Sequence, residues 1–66
     1  MQIVINDQPR EVNDGLTVAD LLIELEMRPK LVAVERNLEL VPRGRHAECI
    51  LQDGDRLEIV TLVGGG

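Results

Sequence analysis

The chain has 66 residues, of which 44% are hydrophobic, and a formal net charge of -5 at pH 7. This length predicts one small domain, too short to keep a core and also enclose a deep ligand pocket. The acidic charge and the lack of Phe, Tyr and Trp argue against nucleic-acid binding, which needs cations and stacking platforms. The acidic charge favours a protein partner with a basic docking face.

The single cysteine, Cys49, excludes an internal disulfide. The N-terminal segment has neither a basic start nor a long apolar stretch, so we expect no signal peptide and no membrane span. A domain this small without disulfides is usually intracellular. We therefore expect a cytoplasmic protein that is a monomer on its own.

The first part of the chain predicts a β-hairpin. Residues 1–6 are β-rich and alternate, with Ile3 and Ile5 on one face. Asn, Asp and Pro favour bends, so residues 6–9 are predicted to turn. Residues 10–12 then return as a short second strand.

The clearest element is a helix over residues 17–28. Thr17 is the predicted N-cap, and Asp20 stands where it can complete a capping box. The apolar residues recur at i, i+3, i+4 and i+7, which makes one stripe of Val18, Leu21, Leu22 and Leu25.

The helix is predicted to end just before Pro29, which cannot continue it. Arg28 and Lys30 fall near this end, where cations complement the helix dipole. Residues 31–36 alternate as a strand, and residues 38–42 are predicted to form a short strand at the edge of a sheet.

The last strand is predicted over residues 57–63, after a turn at Asp53-Gly54-Asp55. Alternation divides it into two faces. One face carries Leu57, Ile59, Thr61 and Val63, and the other carries Glu58, Val60 and Leu62. One amphipathic helix needs one sheet face to cover its stripe, so the elements predict an α+β fold with the first and last strands in the middle of the sheet.

The sequence gives little support for a catalytic or metal site built from side chains. His46 is the only histidine, and Cys49 lies three residues later, a spacing that fits no known nucleophile and base. A half-buried cysteine and a surface histidine are the commoner interpretation. Asp53 and Asp55 resemble a fragment of a calcium loop without the rest, so we expect two solvated carboxylates in a turn.

The strongest candidate site is the run Gly64-Gly65-Gly66, which folding does not require. Glycine lacks a Cβ, so this run is predicted to be a thin, flexible tail that extends about 10 Å and threads a narrow channel. Such a tail presents the carboxylate of Gly66, an anion at pH 7 that must be activated before it reacts with a nucleophile. The sequence has no P-loop, so a partner that uses ATP must supply the activation. The alternative is an idle, frayed end.

Two segments of the sequence carry a resemblance to a known family. LVAVERNLELVPR spans residues 31–43, and LQDGDRLEIVTLVGGG spans residues 51–66. With the length and the order of elements, they resemble the ThiS family, the sulfur carriers of the thiamine pathway. The resemblance covers the whole chain. It implies a ubiquitin-like β-grasp fold with a mixed sheet of four to five strands and one main helix packed on one face.

The resemblance also implies a carrier function. An E1-like adenylyltransferase of the ThiF type would use ATP to adenylate Gly66. Sulfur, from a cysteine desulfurase or another donor, would then replace the adenylate. The Gly66 thiocarboxylate would donate that sulfur to a thiazole synthase of the ThiG type. The chain would be a co-substrate rather than an enzyme, with no catalytic residue, metal or bound cofactor.

Partner contacts are expected beside the tail. Gly64 and Gly65 would be threaded into both partners. Val60 and Leu62 lie opposite the inferred core and are predicted to form an exposed apolar patch for the adenylyltransferase. The alternative is that another part of the chain covers them.

Several functions share this tail chemistry. One is the small subunit of molybdopterin synthase, and others are tRNA thiolation and protein conjugation. A β-grasp interaction domain with an idle tail belongs to another class, and it predicts that deletion of Gly65 and Gly66 changes nothing. The sequence leaves open the sulfur donor and any acyl-disulfide intermediate.

Overall fold

The computed structural model describes residues 1–62, which form one mixed sheet of five strands with a helix on one face. The strand order is β2-β1-β5-β3-β4, and β1 runs parallel to β5. The first and last strands are therefore interior, as expected, and the predicted α+β β-grasp fold is confirmed. The elements in chain order are β1 (Gln2–Ile5), β2 (Gln8–Glu11), α1 (Val18–Glu24), a 3₁₀ helix (Pro29–Leu31), β3 (Val32–Arg36), β4 (Glu39–Val41), a second 3₁₀ helix (Arg43–Arg45) and β5 (Arg56–Thr61).

Within residues 1–62, the buried cluster between α1 and the sheet consists of Ile, Val and Leu side chains. The predicted helix stripe is confirmed, since Val18, Leu21 and Leu22 are at most 1% exposed. Its fourth member, Leu25, is the C-cap of α1 and packs against the core while only partly buried. Burying one such side chain stabilises the fold by about 1.5–3 kcal/mol. The strands contribute matching residues to the same cluster, among them Ile3, Val34, Leu57 and Ile59.

The β1–β2 hairpin is tighter than predicted. Its turn contains only Asn6 and Asp7, with φ of 49° and 67°, which is the mirror-image turn that suits twisted strands. Pro9 therefore lies within β2, opposite Val4, rather than in the turn. In an antiparallel hairpin, the pair next to the turn, Ile5 with Gln8, exchanges backbone hydrogen bonds, and the following pair, Val4 with Pro9, does not. The missing N–H of Pro9 would therefore point away from β1, where an edge strand tolerates its loss.

Helix α1 is shorter than the predicted span of residues 17–28. Its start is confirmed, because Asp20 N donates to Thr17 Oγ1 (3.1 Å) and Thr17 N donates to Asp20 Oδ2 (3.2 Å). The predicted end is wrong. Glu26 takes φ of 57°, and Glu26 N and Met27 N donate back to the carbonyls of Ile23 (3.0 Å) and Leu22 (2.9 Å). These two bonds form a Schellman motif, which closes the helix before Pro29 is reached.

Candidate functional site

The predicted tail comes shortly after β5, the central strand of the sheet, with two residues between them. β5 pairs with β1 on one side and with β3 on the other. Beyond its last residue, Leu62 N donates to Leu31 O at 2.8 Å, so the backbone is held against the start of β3 up to Leu62. β5 ends at Thr61, before the predicted end at residue 63. Val63, Gly64, Gly65 and Gly66 lie outside the described residues, so the predictions for these residues are carried only by the sequence.

Exposed apolar side chains surround the point where β5 ends. Val60 is 56% exposed and Leu62 is 62% exposed, so no segment within residues 1–62 covers them. The antiparallel register places Ala33 opposite Val60, and the hydrogen bond from Leu62 to Leu31 continues it by one pair. Opposite residues project from the same face of a sheet. Ala33 and Val60 therefore share a face, and Leu31 and Leu62 adjoin them through this hydrogen bond; we call these four residues the tail-side patch.

The turn before β5 is built on a buried carboxylate. Asp55 is only 6% exposed, which corrects the expectation of a solvated side chain. Its Oδ2 accepts from Gln52 N (2.8 Å) and Arg36 Nε (2.8 Å), and its Oδ1 accepts from Asn37 Nδ2 (3.1 Å). Asp53 at the other end of the turn is exposed, and its Oδ1 accepts from Gln2 N (2.8 Å). The motif therefore ties β5 to the β3–β4 turn and to β1.

The hydrogen bonds decide the charge state of this network. Burial alone would raise the pKa of Asp55, but the donors from Gln52, Asn37 and Arg36 outweigh it and hold the pKa below its usual range. Burial likewise opposes the charge on Arg36, and the neighbouring Asp55 nevertheless raises the pKa of Arg36. Both groups are thus ionised at neutral pH, and we assign them a structural role.

His46 and Cys49 do not form a catalytic pair. His46 is 4% exposed, so the expectation of a surface histidine is wrong. Its Nε2 lies 3.2 Å from Val41 O and donates to it, while Nδ1 has no hydrogen-bond partner among residues 1–62. Cys49 is half-buried as expected, and its Sγ accepts from Arg36 Nη1 at 3.6 Å. No hydrogen bond joins the two residues in the described part of the chain.

The described residues form no large enclosed cavity for a small ligand. The most enclosed cavity has a volume of about 160 Å³ and lies against Val4, Leu38, Leu57 and the ion pair of Arg56 with Asp7. Ligand sites are usually about 300–1,000 Å³. Two larger depressions, of about 500 and 590 Å³, are open to solvent. Residues 1–62 contain no group of three His, Cys, Asp or Glu side chains arranged to hold a metal ion, and none of their helices is long and apolar enough to cross a membrane.

Comparison with known proteins identifies the family. The model of the ThiS family matches residues 3–66. The chain belongs to the ThiS family. This confirms the resemblance drawn from the sequence, and the match extends through the glycines that follow the central strand.

Individual members of the ThiS family cover the whole chain. The sulfur carrier protein ThiS of Escherichia coli is 39% identical over 66 residues, which is 100% of both chains. The crystal structure of the thiamine biosynthesis protein ThiS from Geobacter metallireducens has a TM-score of 0.86 at 32% identity, with 100% of both chains covered. A thiazole synthase of Paramagnetospirillum magneticum is 48% identical over the whole chain, which spans only 20% of that protein.

Proposed function

We propose that this protein carries sulfur for thiazole formation in thiamine biosynthesis, on the carboxylate of Gly66. The observation that carries the proposal is the full-length similarity to ThiS proteins, which includes the apolar strand and its glycines. The fold fits the role, because the five-stranded sheet holds the backbone in place as far as Leu62, two residues before the first glycine of the tail. The similarity to ThiS proteins favours the thiamine pathway over molybdopterin synthesis.

The chemistry begins with a poor electrophile. A carboxylate at neutral pH does not react with a sulfur nucleophile until one oxygen becomes part of a leaving group. In the proposed sequence, a Gly66 oxygen attacks the α-phosphate of ATP and displaces pyrophosphate, which gives an acyl-adenylate. A sulfur nucleophile at the oxidation level of sulfide then attacks the acyl carbon and displaces AMP. The product is the Gly66 thiocarboxylate.

An E1-like adenylyltransferase of the ThiF type is the proposed site of this activation. Gly64 and Gly65 would pass through its channel, since a residue without Cβ needs the least width. The tail-side patch would dock around the channel mouth. Its four side chains are apolar and lie at the end of β5, with Val60 and Leu62 the most exposed, and such surfaces are typical of interface cores.

A thiazole synthase of the ThiG type is the proposed sulfur acceptor. The similarity of the chain to one fifth of a thiazole synthase supports this pairing, because it puts a ThiS-like domain and that synthase in one polypeptide. A cysteine desulfurase is the proposed upstream source of sulfur. The chain itself acts as a co-substrate at each step.

Activation is tested by pyrophosphate exchange. The activating enzyme is incubated with ATP, labelled pyrophosphate and the chain ending at Gly66, and label that appears in ATP reports reversible formation of the acyl-adenylate. The matched control is a variant that lacks Gly65 and Gly66, whose body is unchanged. We expect exchange with the first chain only. Equal exchange with both chains would contradict a role for the tail and would favour an interaction domain with idle glycines.

A further inference from the structure

Most cations of this acidic chain are paired within the fold. Four of its seven Lys and Arg residues form ion pairs, with distances from 2.8 to 3.8 Å. The other three have no ion-pair partner among residues 1–62 and are exposed. These three are Arg28, Lys30 and Arg43.

Two of these cations stand beside the root of the tail. Arg28 and Lys30 flank Pro29 in the 3₁₀ helix that leads into β3. Leu31 N donates to Arg28 O at 2.9 Å, and Leu31 O accepts from Leu62 N at 2.8 Å. Through these two backbone hydrogen bonds, the segment that carries both cations lies next to Leu62, the last described residue of the chain.

The structure removes the role that the sequence suggested for these cations. They were predicted to complement the dipole of a helix that ends at residue 28. The Schellman motif closes α1 at Glu24, and the last turn of the helix contains no basic residue. The dipole acts only within the last turn, so it does not explain either residue. Neither folding nor pairing within residues 1–62 accounts for Arg28 and Lys30.

We propose that Arg28 and Lys30 bind an acidic rim on the activating enzyme, beside the channel that receives the tail. This inference rests on the proposed function. A site that binds ATP is basic near the phosphates, so it attracts a chain of net charge -5 in many orientations. Arg28 and Lys30 lie next to the tail-side patch, so they contact an acidic rim around the channel in only one of these orientations. They thus select the orientation in which Gly66 enters the channel.

The test measures activation kinetics for a double variant, Arg28→Ala with Lys30→Ala. We expect KM for the carrier in pyrophosphate exchange to rise about tenfold at low salt with kcat unchanged, since exposed ion pairs contribute little each and steer encounter. The difference should shrink at high ionic strength. Arg43→Ala is the matched control, because it removes an exposed cation that has no ion-pair partner among residues 1–62 and follows the edge strand β4.

Each outcome decides the inference. Thermal unfolding at the same temperature for all variants confirms that the fold is unchanged. Suppose that the unaltered chain supports exchange, and that the double variant and Arg43→Ala have the same KM. That result would overturn the inference and leave the proposed function intact. If activation of the double variant is normal but its sulfur transfer to thiazole synthase is weakened, the two cations contact the synthase instead of the activating enzyme. That result would also overturn the inference. No exchange with the unaltered chain would overturn the proposed function, and the inference with it.

Discussion

Replacing Asp55 by Asn should weaken the fold more than any other conservative change in the turn before β5. The substitution keeps the shape of the side chain but removes its charge. Asp55 is 6% exposed and accepts hydrogen bonds from Arg36 Nε, Gln52 N and Asn37 Nδ2 at 2.8–3.1 Å. Asn presents one oxygen to these donors, and its amide NH₂ opposes the others.

The expected loss is about 2 kcal/mol at pH 7, because hydrogen bonds to a charged group contribute roughly 1.5–3 kcal/mol and an unmet buried donor adds a cost. A domain of this size has only about 3–5 kcal/mol of core stability to lose. One kcal/mol shifts the melting temperature of a domain this small by about 4–8 °C. The midpoint should therefore fall by about 10 °C.

The loss should also depend on pH. The pKa of Asp55 is lowered in the folded state, so its carboxylate stabilises the fold above the unfolded pKa of about 3.9. That stabilisation disappears as pH falls from about 5 through the lowered pKa. Below it the carboxyl is protonated and resembles the Asn side chain. The difference between the two proteins should accordingly be full at pH 7 and should shrink progressively as pH falls below about 5.

Urea unfolding followed by circular dichroism at pH 7, 5, 3.5 and 2 measures this difference. Asp53→Asn is the control, since Asp53 lies in the same turn but is exposed, and within the described part of the chain its side chain accepts a hydrogen bond only from Gln2 N. Its expected loss is below about 1 kcal/mol. Equal losses for the two variants, or a loss at Asp55 that does not change with pH, would refute the assignment of Asp55 as the anchor of this turn.

Three further predictions concern the surface, the thiol and the helix end. Val60→Asp should keep the fold and slow ATP-dependent adenylation at least about tenfold, because it puts a charge in the tail-side patch; an unchanged rate would exclude the patch from docking. Cys49→Ser should retain full carrier activity in thiocarboxylate formation, and loss of activity in a folded variant would show that the thiol takes part. Glu26→Gly should stabilise the protein by about 0.5–1 kcal/mol in thermal unfolding, because Glu26 has φ of 57°. Glu24→Gly within α1 should do the reverse, and the same sign for both would contradict the strain argument.

Features set by neighbouring residues could be predicted from the sequence. The stripe of α1 and its capping box depend on spacings of three or four residues, and both are confirmed. Alternation placed Val60 and Leu62 on the face away from the core, and the structure decides between exposure and cover by showing both exposed. The helix end could not be predicted, because Glu26 carries no pattern for a left-handed conformation, which glycine usually supplies.

Features that depend on strand pairing were missed. Asp55 looked like a solvated turn residue, since its partners Arg36 and Asn37 lie 18 or more residues earlier in the chain. Leu31 and Ala33 joined the tail-side patch only through the register of β3 with β5. His46 looked exposed for a different reason, because a lone histidine without periodic neighbours gives no indication of burial.

The most direct test of the carrier assignment is the mass of the last tryptic peptide, which runs from Leu57 to Gly66. The protein is incubated with ATP, the activating enzyme and a sulfur source, and the reaction without ATP is the control. This peptide contains no Cys or Met, so oxidation of sulfur cannot imitate the exchange of oxygen for sulfur. The account predicts the mass increase of a thiocarboxylate only when ATP is present. An unchanged peptide, with an activating enzyme that is active on its own carrier, would contradict it.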